Sequence, residues 1–164
     1  MKKPDQPKTN ACRQLDVLGI RYELRSYDVD EDDLAATTVA DKVGLPAEQV
    51  YKTLCLRGHS GALLFAIVAA DRALDLKALA KVAAEKSIEP VAVKELQGLT
   101  GYIRGGVTAL APKKALPVFV DDLMPLHDTV SVSAGQRGLQ VLLAPGDYIT
   151  AVDATVAAIS RDPP

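Results

Sequence analysis

The longest apolar run in the chain, ALLFAIVAA at residues 62–70, is far too short to cross a bilayer, which takes about 20 apolar residues. It follows KTLCLRG (52–58) across the turn-rich RGHSG, and the two runs read as a pair of apolar strands that a sheet must bury. A chain of 164 residues, 48% hydrophobic and 24% charged, has the composition and size to bury such a pair inside one domain.

Other segments supply the cover. Thr9 or Asn10 can cap a first helix with Leu15 and Leu18 on one face, ending at Gly19. Residues 20–29, IRYELRSYDV, alternate as a strand, and the acidic DVDEDD (28–33) reads as a solvated loop. Thr37 and Thr38 offer caps for a short helix ending near Gly44, and Pro46 suits the first turn of another. LDLKALAKVAAE repeats Leu76, Leu79, Ala80 and Ala83 at helical spacing, which predicts an amphipathic helix packed on the sheet. Tyr102 and Ile103 read as a further strand, interrupted by Gly105-Gly106. LPVFV (116–120) is a strand, TVSVSA (129–134) and LQVLLA (139–144) form a hairpin around GQRG, and a closing helix is expected over 147–160 with Asp147 as its cap. The expected fold is a single mixed α/β domain whose sheet is mixed, largely antiparallel and partly barrel-like, flanked by helices.

Charge and motifs exclude much. Nineteen basic against twenty-one acidic residues leave no basic surface of the kind that coats nucleic acid. Cys12 and Cys55 have no metal-ligand or redox spacing, and Cys55, alternating with leucines, reads as a buried inert thiol. His59 and His127 fall in turns or loops with no metal-ligand partner at suitable spacing. Hydrolase, nucleotide and zinc signatures are absent. The opening MKKPDQPKTN lacks the apolar stretch of a signal peptide, so a cytoplasmic protein is expected.

Read singly, the remaining polar residues leave alternatives open. Lys52, between a short helix and a strand, either snorkels to water or aims three donors into a cleft. Thr53 either back-bonds locally or reaches a ligand. Gly105-Gly106 mark either a tight bend or bare N–H groups for a developing oxyanion. Ser133 sits at a turn position that also presents a hydroxyl, and Arg137 is either a solvated tip or an anion contact.

Six segments in order, QVYKTL, LDLKALAK, TGYIRGGVTAL, KKALPVFVD, VSAGQRGLQV and APGDYITAVDA, resemble the YbaK/EbsC-like aminoacyl-tRNA deacylases, relatives of the editing domain of bacterial prolyl-tRNA synthetases. The resemblance covers about residues 9–161, preceded by an expected flexible tail, 1–8. It implies Lys52 as the functional hallmark with Thr53 beside it, Gly105-Gly106 as the loop at the ester, and Ser133 at a strand end. Tyr27, Thr108, Arg137 and Gln140 complete the implied substrate contacts. The chain departs from many members at Ala109 (proline elsewhere), near Ala35 (an aromatic in some) and at Gln140 (aspartate in some).

The implied activity is trans-editing, the hydrolysis of cysteine from misacylated tRNA(Pro) or from Cys-tRNA generally. Alanyl or another small aminoacyl ester is the sibling substrate. A non-catalytic module binding an aminoacyl-tRNA end or a nucleotide is the reading from another class. The implied partners are the 3′ end of aminoacyl-tRNA and prolyl-tRNA synthetase, with no membrane or DNA, no cofactor and no metal. Lys52 would hold the terminal adenosine's phosphate or ribose, since nothing adjacent in sequence lowers its pKa from about 10.4. With no protein base in view, the substrate's own thiol or ribose hydroxyl would assist cleavage.

Overall fold

The computed structural model describes residues 8–164, so the expected tail lies outside the described residues except for Lys8. Helix α1 (Asn10–Val17) begins where Thr9 Oγ1 accepts from the Cys12 N–H at 3.2 Å, and it buries Ala11, Cys12 and Leu15. Strand β1 (Glu23–Ser26) follows. Helix α2 (Ala36–Val43) stops at Gly44, which takes the left-handed conformation open to glycine. Its N-cap is Ala35, without a side-chain bond, so the expected threonine caps fall inside the helix. A short 3₁₀ turn (Ala47–Gln49) after Pro46 leads into β2.

Strands β2 (Tyr51–Gly58) and β3 (Leu63–Ala69) form the expected antiparallel pair, in register from Tyr51↔Ala69 to Arg57↔Leu63. From Leu64 to Ala69 every residue of β3 is buried, because the strand is covered on both faces. One face meets Leu15, Val132 and Val141; the other meets Leu79 and Ile159. Burial of each large aliphatic side chain here contributes about 1.5–3 kcal/mol.

The chain continues through β4 (Ala73–Leu74), α3 (Leu76–Val82), β5 (Ile88–Pro90) and α4 (Val93–Thr100). Asp75 caps α3 by accepting from the Ala78 N–H at 3.0 Å. Residues 101–117 carry no strand, contrary to the expectation at Tyr102–Ile103. Tyr102 instead donates from its hydroxyl to the carbonyls of Leu110 and Ala111, which ties the loop across itself. Then come β6 (Val118–Asp121), a 3₁₀ turn (Met124–Leu126), and the hairpin β7 (Val130–Ser133) and β8 (Leu139–Leu143). The expected long closing helix is shorter. Helix α5 covers only Pro145–Ala151, capped by Ala144 with Asp147 in its first turn. The remainder forms β9 (Thr155–Ala157) and β10 (Ser160–Arg161), because Asp153 turns the chain at φ 51° and β9 finds a partner in β6.

The five-stranded sheet runs β5-β2-β3-β6-β9, with β3-β6 and β6-β9 parallel. The second sheet runs β1-β8-β7, antiparallel throughout. A parallel bridge between Val50 and Ser131 joins them, and β10 and β4 form a separate two-stranded ladder. The mixed α/β class expected from the sequence is the class observed.

Candidate active site

Strand β2 has one incomplete edge, and an apolar-walled cavity lies along it. Beyond the Val50–Ser131 bridge, β2 next meets a partner on this side where Cys55 O accepts from Val91 N at 3.1 Å and β5 pairs with Leu56–Gly58. Peptide groups alternate in direction along a strand. Cys55 O points to the β5 side, so the N–H and C=O of Thr53 point the same way, into the gap. A cavity of about 630 Å³ opens there. Leu34, Val39, Leu54, Leu74, Val91 and Leu96 supply apolar wall, and Lys52, Arg104, Ser133 and Gln140 the principal polar groups. Among the described residues no Asp or Glu lines it.

Lys52 alternates onto the face of β2 that carries Leu54 and Leu56. Its Nζ donates to Arg72 O at 2.8 Å. Burial depresses the ammonium's pKa, with Asp71 opposing. The sequence neighbours of Lys52 gave no hint of this, since the desolvating walls come from other elements. The lysine is thus neither snorkelled to bulk water nor paired with a carboxylate.

Thr53 lines the cavity, yet its hydroxyl is fully buried. It lies beside the buried Tyr148, whose phenol burial pushes up with the Thr53 hydroxyl opposing. The ligand-facing polar groups of Thr53 are therefore those of its main chain. Cys55, 6% exposed, is a buried thiol that burial pushes up, as expected of an inert cysteine.

The two glycines do different jobs. Gly105 lines the cavity at φ +87°, with Leu34 and Arg137 side chains 3.3 and 3.4 Å from where a Cβ would stand. Gly106 is packed on the β7–β8 turn, where a Cβ would come 3.0 Å from Gln136 and Arg137 backbone atoms. The Gly106 N–H also donates to Ile103 O at 2.9 Å. Of the expected pair of amide donors, only that of Gly105 lies outside this turn bond.

The β7–β8 hairpin brings Ser133 and Gln140 opposite one another on the cavity wall. Ser133 Oγ accepts from Gly135 N at 3.1 Å, and Gln140 Oε1 accepts from Ser131 Oγ at 2.8 Å. The Gln140 amide is thereby oriented, with a neutral group where a carboxylate would bring charge. Three expected contacts fall outside this cavity. Tyr27 and Arg137 line a separate polar groove with Lys42 and Gln136. Arg137 braces the glycine loop by donating from Nε to Arg104 O at 2.8 Å. Thr108 is fully buried, its Oγ1 accepting from Leu110 N at 3.3 Å. Arg104 is a cavity cation that sequence reasoning missed; its only signal was its place directly before the glycines. His127 is a partly buried loop residue whose ring is set edge-on to Tyr51, 6.3 Å between centroids. No group of acidic, Cys or His residues among those described could hold a metal, and no helix among them is long and apolar enough to span a membrane.

An apolar-walled cleft with two cations, one oriented neutral amide and free main-chain groups suits a small ester on a polyanionic carrier. Residues 31–151 match the aminoacyl-tRNA editing domain family, and the chain belongs to that family, which makes it an aminoacyl-tRNA ester hydrolase. It is 34% identical over 159 residues, 97% of each chain, to EbsC of Enterococcus faecalis, a candidate Cys-tRNA(Pro)/Cys-tRNA(Cys) deacylase. Two crystal structures share the fold at 20% identity. The hypothetical protein APE2540 has a TM-score of 0.85, covering 93% of this chain and 100% of its own. A candidate trans-editing enzyme for prolyl tRNA synthetase has a TM-score of 0.79, covering 95% and 99%.

Proposed function

We propose that the chain removes cysteine from misacylated tRNA(Pro) in the cytoplasm, acting in trans beside prolyl-tRNA synthetase. The observation that carries this reading is the likeness to EbsC over nearly the whole of both chains. The chemistry of the cavity is compatible with it. Lys52 and Arg104 attract the terminal nucleotide's phosphate, and the apolar wall takes the small side chain. The Gly105 N–H, with the Thr53 main chain opposite, offers donors for the oxygen that becomes negative as the ester carbonyl is attacked. Cys55 is buried and the Lys52 ammonium is engaged with a carbonyl, and in this reading the substrate supplies the nucleophile. The cysteinyl thiol attacks its own ester carbonyl, the ribose hydroxyl leaves with the proton, and water opens the resulting thiolactone. The protein's part is to orient the reactants and stabilise charge.

The test is deacylation of Cys-, Ser-, Ala- and Pro-tRNA(Pro) by the wild type and by Lys52→Ala, with and without prolyl-tRNA synthetase. Cysteinyl ester should be lost selectively, seryl ester should survive for want of a thiol, and Lys52→Ala should lower kcat/KM at least tenfold. Loss of alanyl ester instead would transfer the reading to alanine. Uniform stability of all four esters would leave a binding module.

A further inference from the structure

The acceptor of Lys52 is not a side chain that could be read as its partner but the carbonyl of Arg72, in the turn between β3 and β4. That turn is held from the far end of the chain. Arg72 N donates to Ala69 O at 3.0 Å within the turn, while its guanidinium reaches outward to β10. Nε donates to Ser160 Oγ at 3.1 Å, and Nη1 bonds the Asp162 carboxylate. Strand β10 pairs antiparallel with β4, Ser160 with Leu74 and Arg161 with Ala73, and Asp75 N donates to Ile159 O at 2.7 Å.

Beneath this lies Asp121 at the end of β6, 1% exposed. Its Oδ1 accepts from the N–H groups of Ile159 and Ser160 at 3.0 and 3.1 Å, and its Oδ2 from Ser160 Oγ at 2.7 Å. A buried carboxylate with three donors is a rigid anchor. The path therefore runs from Asp121 through Ser160 to the Arg72 side chain, and from the Arg72 carbonyl to the Lys52 ammonium.

We propose that Arg72 and the C-terminal strand Ser160–Arg161 with Asp162 position Lys52 for the aminoacyl-tRNA end, so that the last turn of the chain sets the geometry of the site. This rests on the part given to Lys52 above. Arg72 is a positioning residue: it touches the lysine through its main chain and the rest of the molecule through its side chain. The outer half of the link is cheap in stability, because Asp162 is 92% exposed and an exposed ion pair contributes little. Position and stability can thus be separated. A misplaced binding group costs rate steeply, so the expected loss is about tenfold even though the carbonyl remains in the chain.

The experiment compares Arg72→Ala, Lys52→Ala and the double variant in deacylation, with thermal melting of each. Asp162→Ala serves as a gentler fourth variant. Arg72→Ala should lower kcat/KM about tenfold, chiefly through KM, and should lower it no further when Lys52 is already alanine. Asp162→Ala should show a smaller loss with the same non-additivity. In parallel, NMR relaxation of the Lys52 ε-methylene should become as fast as that of the exposed Lys77 in Arg72→Ala. Equal losses in the two backgrounds would assign Arg72 to general stability and overturn the proposal. Unchanged Lys52 relaxation would overturn it too. The relaxation result holds even if no ester is cleaved, so this inference and the deacylase reading fail separately.

Discussion

At the scale of single residues, Gly105-Gly106 shows how a legible signal can hide two causes. The doubling of glycine announced a close approach, and the structure confirms one at each position. The sequence offered no way to tell that Gly106 faces the Gln136–Arg137 main chain while Gly105 faces the cavity, because the opposing turn arrives from 30 residues downstream. A methyl at 106 would meet backbone, which cannot rotate away. Gly106→Ala should therefore destabilise by about 1–3 kcal/mol, as overpacking does, and urea unfolding measures it. An unchanged midpoint would mean the hairpin turn yields more readily than its packing indicates. Lys52 was legible as a candidate from its junction between a turn and an apolar strand. Its acceptor and its depressed pKa were not, since the acceptor is the Arg72 carbonyl, 20 residues on, and the burial comes from walls built by other elements.

At the scale of elements, local pattern served well wherever a face or a cap was decisive. Strands β2 and β3, the β7–β8 hairpin and helices α1 to α3 stand where alternation, helical spacing and Thr9 or Gly44 put them. It failed where a tertiary partner overrode it. Apolar spacing through residues 147–160 is equally compatible with a helix and with two short strands, and pairing with β6 and β4 selected the strands. Helix α4 went unread because its Val93 and Lys94 face outward, leaving a weak stripe. Cap energetics can be tested on α3, a seven-residue helix that depends on its ends. Asp75→Ala removes the Ala78 N–H acceptor and should cost about 1 kcal/mol by chemical denaturation, with Asp75→Asn recovering most of it. No loss in the alanine variant would mean that the Asp75 N–H bond to Ile159 O holds the turn by itself.

At the scale of the whole molecule, the net charge of −2 and the cavity's charge are opposite in sign. Lys52 and Arg104 line a cleft that holds no acidic residue among those described, while DVDEDD lies just before Leu34 at the cavity wall. A long polyanion laid across such a surface would gain little, whereas its terminus can enter. The dependence of kcat/KM on salt should accordingly be shallow. The slope of log(kcat/KM) against log salt should lie near −1 to −2, the count of cavity cations, instead of the −6 or steeper of an extended nucleic-acid surface. A steep slope would locate a further phosphate-binding face beyond the cavity.

The gap along β2 has a consequence for solubility. A bare length of strand is ordinarily an invitation to any other extended chain, and proteins blunt such edges with charge, proline or cover. Here the unsatisfied peptides lie at the floor of a cleft whose lips are the glycine loop, α2 and the β7–β8 hairpin. An intruding strand could pair with β2 only over the short stretch between the Ser131 bridge and β5, whereas a single aminoacyl group needs no more. The fold can keep backbone groups undersatisfied for use without offering them as a seed for polymerisation.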